Sequence, residues 1–305
     1  VNSGTSVEQV AAYDANANRV VISFAANTQK GYAIVGAVTE TSITFGSPVE
    51  FNQGSDIFGQ KIVYDSTNEK VIIAYQDAGN SNYGTAIVGT VTGVGITFGS
   101  KSVYKSTNSS PHSLTYDPDQ NKVVIAFCDN SSSRNGKAIV GTVSGDTISF
   151  PGSEYEFKSG RTDFINSVYD SVNSKVVTVY EHYSNSASTG RAIVGVVIAS
   201  ENSISFPGSE TVFTPPISFN SITGTPAYDS DRDQVIITYK DTNNSNDGSV
   251  EYIREHYPNV SVITNPVEEE STVQKGKKKG VEPLESGNPD NVLTTDAQIQ
   301  TGMLV

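Results

Sequence analysis

A five-fold internal repeat constrains this chain more than any other feature. The pair Tyr-Asp recurs as Tyr13-Asp14, Tyr64-Asp65, Tyr116-Asp117, Tyr169-Asp170 and Tyr228-Asp229, at spacings of 51, 52, 53 and 59 residues. Each pair opens a polar turn, followed by a β-branched run, a Gly/Asn/Ser-rich loop and a further apolar run. A repeat of this length built only of strands and turns is the signature of a propeller blade. One small sheet cannot bury both of its faces, so the copies must stack. The expectation is an all-β chain: a five-bladed β-propeller of four-stranded repeats about 52 residues long over residues 1–267. A ring of six or seven blades is the alternative, if blades precede Val1 or a neighbour supplies strands.

The second copy shows how one unit reads. Ile62-Val63-Tyr64 is a short strand, and Asp65 to Lys70 a polar turn. Val71-Ile72-Ile73-Ala74-Tyr75 is apolar at every position, as a strand buried on both faces must be. A loop from Asp77 to Gly84 leads to Thr85–Val91, and Ile96-Thr97-Phe98 opens a fourth strand. The third strand carries a recurring glycine, Gly36, Gly89, Gly141 and Gly195, which implies close approach by a neighbour. We expect that neighbour to be the next blade. The fifth copy has Ile253 at this position, so its packing must differ.

From Glu268 the pattern fails. Three glutamates, the basic cluster Lys277-Lys278-Lys279 and a Gly/Pro/Asn-rich stretch read as a polar tail or assembly arm over residues 268–305. The first residues, Val1-Asn2-Ser3-Gly4, align with Phe51-Asn52-Gln53-Gly54. That suggests a processed chain or a piece of a longer array.

Net charge is −13. Such a surface repels phosphate backbones, which argues against nucleic acid and anionic membranes as partners. No apolar stretch is long enough to span a bilayer as a helix. The single cysteine, Cys128, cannot form an internal disulfide and reads as a buried small side chain.

The recurring Asp14, Asp65, Asp117, Asp170 and Asp229 suit structural turns, because a carboxylate there accepts backbone N–H bonds two residues on. Asp117-x-Asp119-x-Asn121 and Asp229-x-Asp231-x-Asp233 match the start of a calcium loop. They lack its glycine and distal glutamate, so neither metal nor cofactor is expected. Variation concentrates where the second strand ends: Ala25, Gln76, Cys128, Glu181 and Lys240, then Ala26, Asp77, Asp129, His182 and Asp241. Such loops carry binding residues when a repeat scaffold holds them. Gln76, Asp77, Tyr83, Asp129, Glu181, His182, Tyr183 and Asp241 are therefore the candidate ligand-binding residues. Glu181-His182 is the most enzyme-like pair, yet neighbours on a strand point to opposite faces. No catalytic residue is assigned.

The repeat VYDSTNEKVIIAYQDAGNSNYGTAIVGTVTG…ITFGS resembles repeats in virion structural proteins of marine bacteriophages and in secreted proteins of aquatic bacteria. The resemblance covers residues 1–266. It implies a tail-fibre, appendage or capsid-surface component, located on a virion or cell surface. The expected function is a non-enzymatic structural and adhesive module. Its partners would be copies of itself or other appendage subunits, engaged through the tail, with a cell-surface glycan as a further ligand. The alternative is a secreted glycan-binding or glycan-cleaving propeller.

Overall fold

The computed structural model describes residues 7–26, 30–184, 187–213, 226–240, 248–256 and 259–264. Asp241 and the whole of residues 268–305 lie outside them. The described chain is all-β, apart from two single turns of 3₁₀ helix, Ala78–Asn80 and Ala199–Glu201. Neither is long and apolar enough to cross a membrane.

Strands follow one another as antiparallel meanders. The first repeat holds β1 (Val7–Asp14), β2 (Arg19–Ala25), β3 (Gly31–Val38), β4 (Ile43–Phe45) and β5 (Val49–Glu50). The second holds β6 (Ile57–Asp65), β7 (Lys70–Asp77), β8 (Tyr83–Thr92) and β9 (Gly95–Phe98). Next, β10 (Ser102–Asp117) pairs with β8 through its first half and with β11 (Lys122–Asp129) through its second. It so fuses two repeats into one nine-stranded sheet. The third repeat continues with β12 (Asn135–Ser144), β13 (Thr147–Ser149) and β14 (Tyr155–Lys158). The fourth holds β15 (Thr162–Asp170), β16 (Lys175–Ser184), β17 (Ala187–Ile198), β18 (Ser203–Ser205) and β19 (Thr211–Val212). The last sheet is β20 (Ala227–Asp229), β21 (Gln234–Lys240), β22 (Gly248–His256) and β23 (Asn259–Thr264).

Stacking of these sheets makes the core. In β7, Val71, Ile73 and Tyr75 pack on the first sheet with Val21, Ala25 and Phe51. Ile72 and Ala74, on the other face, pack on Val123, Ile125 and Phe127. Val124, Ala126 and Cys128 in turn meet Val176 and Tyr180, and Val177 and Val179 meet Val235 and Ile237. The second strands of the middle three repeats, β7, β11 and β16, are thus buried on both sides, and their two-residue period assigns alternate side chains to successive interfaces.

An aromatic wedge recurs at these interfaces. Phe51 lies 5.2 Å from Tyr75 and 5.6 Å from Phe98 between ring centres. Tyr104 stands in the same relation to Phe127 and Phe150, and Phe157 to Tyr180 and Phe206. The wedge exists because the fourth strand breaks in two. Gly99 marks one break, where an added Cβ would strike the backbone carbonyl of Asp146 in the next repeat.

The recurring third-strand glycine has a different neighbour from the one its sequence position suggests. A Cβ at Gly89 would lie 2.7 Å from Ile96 Cδ1 and 3.0 Å from Phe98 Cε1, and one at Gly141 would meet Ile148 and Phe150 in the same way. These residues belong to the fourth strand of the same sheet. The close approach is within a sheet, not between sheets, because the Ile-x-Phe side chains fold back over the third strand.

Candidate functional site

Each sheet has two ends. The turn end, where Tyr-Asp sits, is built alike in copy after copy. Asp65 Oδ1 accepts from the N–H of Thr67 at 3.0 Å and Asn68 at 2.9 Å. Asp117, Asp170 and Asp229 each accept from the residues two and three positions on, and Asp14 accepts from Ala17. The tyrosines tie one copy to the one before. Tyr116 donates to Thr67 at 2.6 Å and Tyr169 to Asp119 at 2.7 Å, while Tyr64 accepts from the Asn16 N–H.

The opposite, loop end is where the copies diverge. There the first strand of four repeats carries a bulge: pairing shifts between Val7 and Val10, Phe58 and Lys61, Pro111 and Ser113, and Asp163 and Asn166. Glu8 and Phe164 take left-handed backbone there, at φ +55° and +49°. This is strain of a kind that clusters where side chains are re-aimed.

The residue twelve positions beyond the turn aspartate, on the second strand, stands in a polar station at each of three sheet contacts. In the first station Asp77 is 3% exposed. It accepts from Asn52 Nδ2 at 3.1 Å, Ser55 Oγ at 2.9 Å and the Gly79 N–H at 3.0 Å, and pairs with Lys101 at 3.2 Å. Burial alone would raise its pKa. The bonds from Asn52, Ser55 and Lys101 outweigh that and hold it below the usual carboxylate range.

In the second station Asp129 is buried between Lys105 at 3.0 Å and Lys137 at 2.8 Å, and both lysines also reach Glu154. Burial again works against ionisation. The bonds from Lys137, Ser131 and Lys105 win by a wide margin, so Asp129 is strongly acidic.

In the third station His182 occupies the corresponding place. Around it are Lys158, 2.7 Å from Glu210, and Arg191, also paired with Glu210. Burial, then Lys158 and Arg191, push the His182 pKa down, so the ring is neutral at pH 7.

Residues one position earlier face the other way, toward the next sheet. Gln76 donates to Asn108 at 2.9 Å, and Asn130 reaches the same oxygen at 3.3 Å. Cys128 is buried, and burial raises its thiol pKa despite nearby Arg134. It is a packed thiol rather than a nucleophile. Glu181 is buried, and its Oε2 has no partner among the described residues. Asp163 is clamped by Arg134 and by Arg161 at 2.7 Å, and the Arg161 guanidinium lies 5.1 Å from the Tyr183 ring centre. Tyr83 begins β8 opposite Asp77 and is half-buried.

Among the described residues the candidates are spread along the loop end, and only Asp77 of them lines either of two hollows there. The structure adds residues that strand reading passed over. Asn52, Lys105 and Lys158 stand 53 residues apart, and Lys101, Glu154 and Glu210 stand 53 and 56 apart. The repeat spacing itself was the signal that could have found them.

Two hollows among the described residues adjoin the first station. A hollow of about 460 Å³ is lined by Gln53, Ser55, Asp77, Asn80 and Lys101. A second, of about 480 Å³, adjoins it through Gln53 and Lys101, and continues over Phe51, Phe98, Ile87 and Glu50.

No protein family and no curated protein matches the chain in sequence. Among solved structures, a protein from Lactobacillus plantarum is similar at a TM-score of 0.59 and 11% identity, over 84% of this chain and 70% of that one. Two others are less alike. The SapL1 lectin, solved with α-methyl fucoside, has a TM-score of 0.43 and 12% identity over 85% and 80%. An exo-β-1,3-galactanase from Phanerochaete chrysosporium has 0.41 and 9% over 82% and 60%. The first likeness supports the stacked-sheet fold. The other two are too distant to bear on what this chain binds.

Proposed function

We propose that this chain is a non-enzymatic adhesive module: a five-bladed propeller that displays its loop end outward and holds a saccharide at the first station. The observation that carries this reading is the pair of adjoining hollows. One half offers a carboxylate, an ammonium and amides at Asp77, Lys101, Gln53 and Asn80; the other is bounded by the half-buried Phe98, with Phe51 and Ile87 packed in the core behind it. Sugar binding needs both, hydrogen-bonding groups for hydroxyls and an apolar floor for the C–H face.

Binding suits the site better than cleavage. A glycosidase acid must hold its proton near neutral pH, and Asp77 is held ionised by Asn52, Ser55 and Lys101. A surface role, on a virion or cell exterior, fits an acidic, β-rich module, and the polar residues 268–305 supply the natural attachment to copies or neighbouring subunits.

A printed glycan array probed with the full chain, followed by calorimetry on the best hits, tests the reading. Gln53→Ala and Lys101→Met should each weaken a hit by about tenfold, the loss of one charge-assisted or bidentate contact. Glycans that bind both variants as well as wild type would place the ligand elsewhere. Release of reducing sugar from any hit would replace binding with catalysis.

A further inference from the structure

The three stations share a plan but not a charge balance. The second holds two cations and two carboxylates, Lys105 and Lys137 against Asp129 and Glu154. The first holds one of each, Lys101 against Asp77, with Asn52 and Thr85 in the places of Lys105 and Lys137. The third keeps both cations, Lys158 and Arg191, but only one carboxylate, Glu210. The place of the second carboxylate is taken by His182, which is neutral.

Three further observations point the same way. The Nδ1 of His182 is buried with no partner among the described residues. Gly160, at φ +88°, lies over the ring edge, where a Cβ would come within 3.2 Å of Cε1; glycine leaves that edge uncovered. Just inward, Arg134 and Arg161 share the single carboxylate of Asp163. In the ion pairs at the loop end of the third–fourth sheet contact, four cationic side chains meet two carboxylates, Glu210 and Asp163, while Glu156 bonds Asn135 and Glu181 stands opposite Asp163 in the strand pairing. Lys158 and Arg191 keep 18% and 20% of their side-chain surface open to solvent. They are ordered by Glu210 yet reachable.

We propose that this contact binds the anionic group of a ligand, a sugar carboxylate or a sulfate, at Lys158 and Arg191 beside His182, in the role that the Asp129 carboxylate plays in the second station. The guanidinium of Arg191 suits planar, two-point recognition of such a group, and Lys158 adds a point charge. The site is separate from the groove at Lys101, and either can fail without the other.

The test is calorimetric titration of the full chain with sodium sulfate, sodium glucuronate and galactose, at ionic strength held constant with chloride. The expected result is binding of sulfate, glucuronate or both that Lys158→Met weakens, with any binding of galactose untouched by that variant. Glucuronate alone assigns the site to an acidic sugar, and sulfate alone to a sulfated one. His182→Asp restores the four-charge balance of the second station. It should weaken the anion by about tenfold while the melting temperature holds or rises. Lys158→Met should weaken it as much, and it decides the matter if the histidine variant does not fold. Lys101→Met should leave it unchanged. Failure of both anions to bind wild type, or equal binding by the two third-station variants, overturns the proposal.

Discussion

At the turn end of the sheets, Asp65, Asp117, Asp170 and Asp229 all accept backbone N–H bonds from the residues two and three positions on. At the loop end, Asp77, Asp129 and His182, equally placed on their strands, do three different things. Asp77 closes a loop beside an open hollow, Asp129 anchors a sealed ion network, and His182 sits neutral among cations. The difference follows from what each end must satisfy. A turn must cap its own N–H groups, a requirement set by the backbone and so identical in every copy. The loop end only has to compensate buried charge, and many combinations of side chains do that.

The scaffold common to both ends gives the largest expected effect. Gly89→Val would force a branched side chain into space where even a Cβ lies 2.7 Å from Ile96 Cδ1. The pair Ile96 and Phe98 also packs at the interface with the first sheet, so it cannot retreat freely. We expect a loss of about 3 kcal/mol or more, read from urea denaturation. A variant as stable as wild type would mean that the Ile-x-Phe cover is loose.

Removing charge from the sealed station should cost nearly as much. Asp129→Asn leaves Lys105 and Lys137 sharing Glu154 alone. Breaking a buried ion network from one side costs about 3 kcal/mol. The same change at Asp77 should cost less, because Asp77 meets one lysine rather than two. Equal losses at both positions would erase the distinction between an open and a sealed station.

Acid should weaken the loop end in two stages. His112, on the innermost part of β10, has its pKa pushed down to about 4, by burial first and then by Lys61, with Asp163 opposing. The unfolded histidine titrates near 6.5. The unfolded chain therefore takes up the proton first, and stability falls as pH drops from about 6.5 to 4. Asp77, Asp129 and Glu154 are depressed below their ordinary values. Their stabilisation is present above about pH 4 and is lost as pH falls further, through their folded-state values. Denaturation at pH 7, 5 and 3 should show both stages, and His112→Gln should reduce the first to the share of His182, whose pKa is also depressed. An unchanged slope in that variant would remove His112 as its source.

The two ends were not equally legible in the sequence. The period-two burial of Val71–Tyr75 and its counterparts, and the stacking it demands, could be read from residue order alone, because strand faces alternate by geometry. The partner of Gly89 could not. Whether a neighbour belongs to the same sheet depends on how the fourth strand folds back, and Ile96-Thr97-Phe98 looks the same either way. At the loop end, the sequence marks Asp77, Asp129 and His182 as one variable position. Their neighbours, Lys101, Lys105 and Lys158, lie 24 residues on or before. Charge balance across a sheet contact is a property of three dimensions, visible in one only after the repeats are aligned.

The smallest prediction concerns a difference among the turns themselves. In the second and fourth copies the residue three beyond the aspartate is asparagine, and its side chain reaches the aspartate's second oxygen: Asn68 to Asp65 and Asn173 to Asp170, each at 2.8 Å. In the fifth copy Arg232 does so at 2.9 Å. The third copy has Gln120, and there Asp117 Oδ2 is buried with no partner among the described residues, with its pKa raised chiefly by burial. Glutamine is one methylene too long to close the same ring. Gln120→Asn should supply the missing donor and add about 1 kcal/mol, read as a higher urea midpoint with an unchanged slope. It should also bring Asp117 back toward the ordinary carboxylate range, which carbon-13 NMR of its carboxyl would follow. A midpoint that does not move would mean that the asparagines at Asn68 and Asn173 are kept for their bonds to Asn121 and Asp233 in the next copy, and not for the aspartate beneath them.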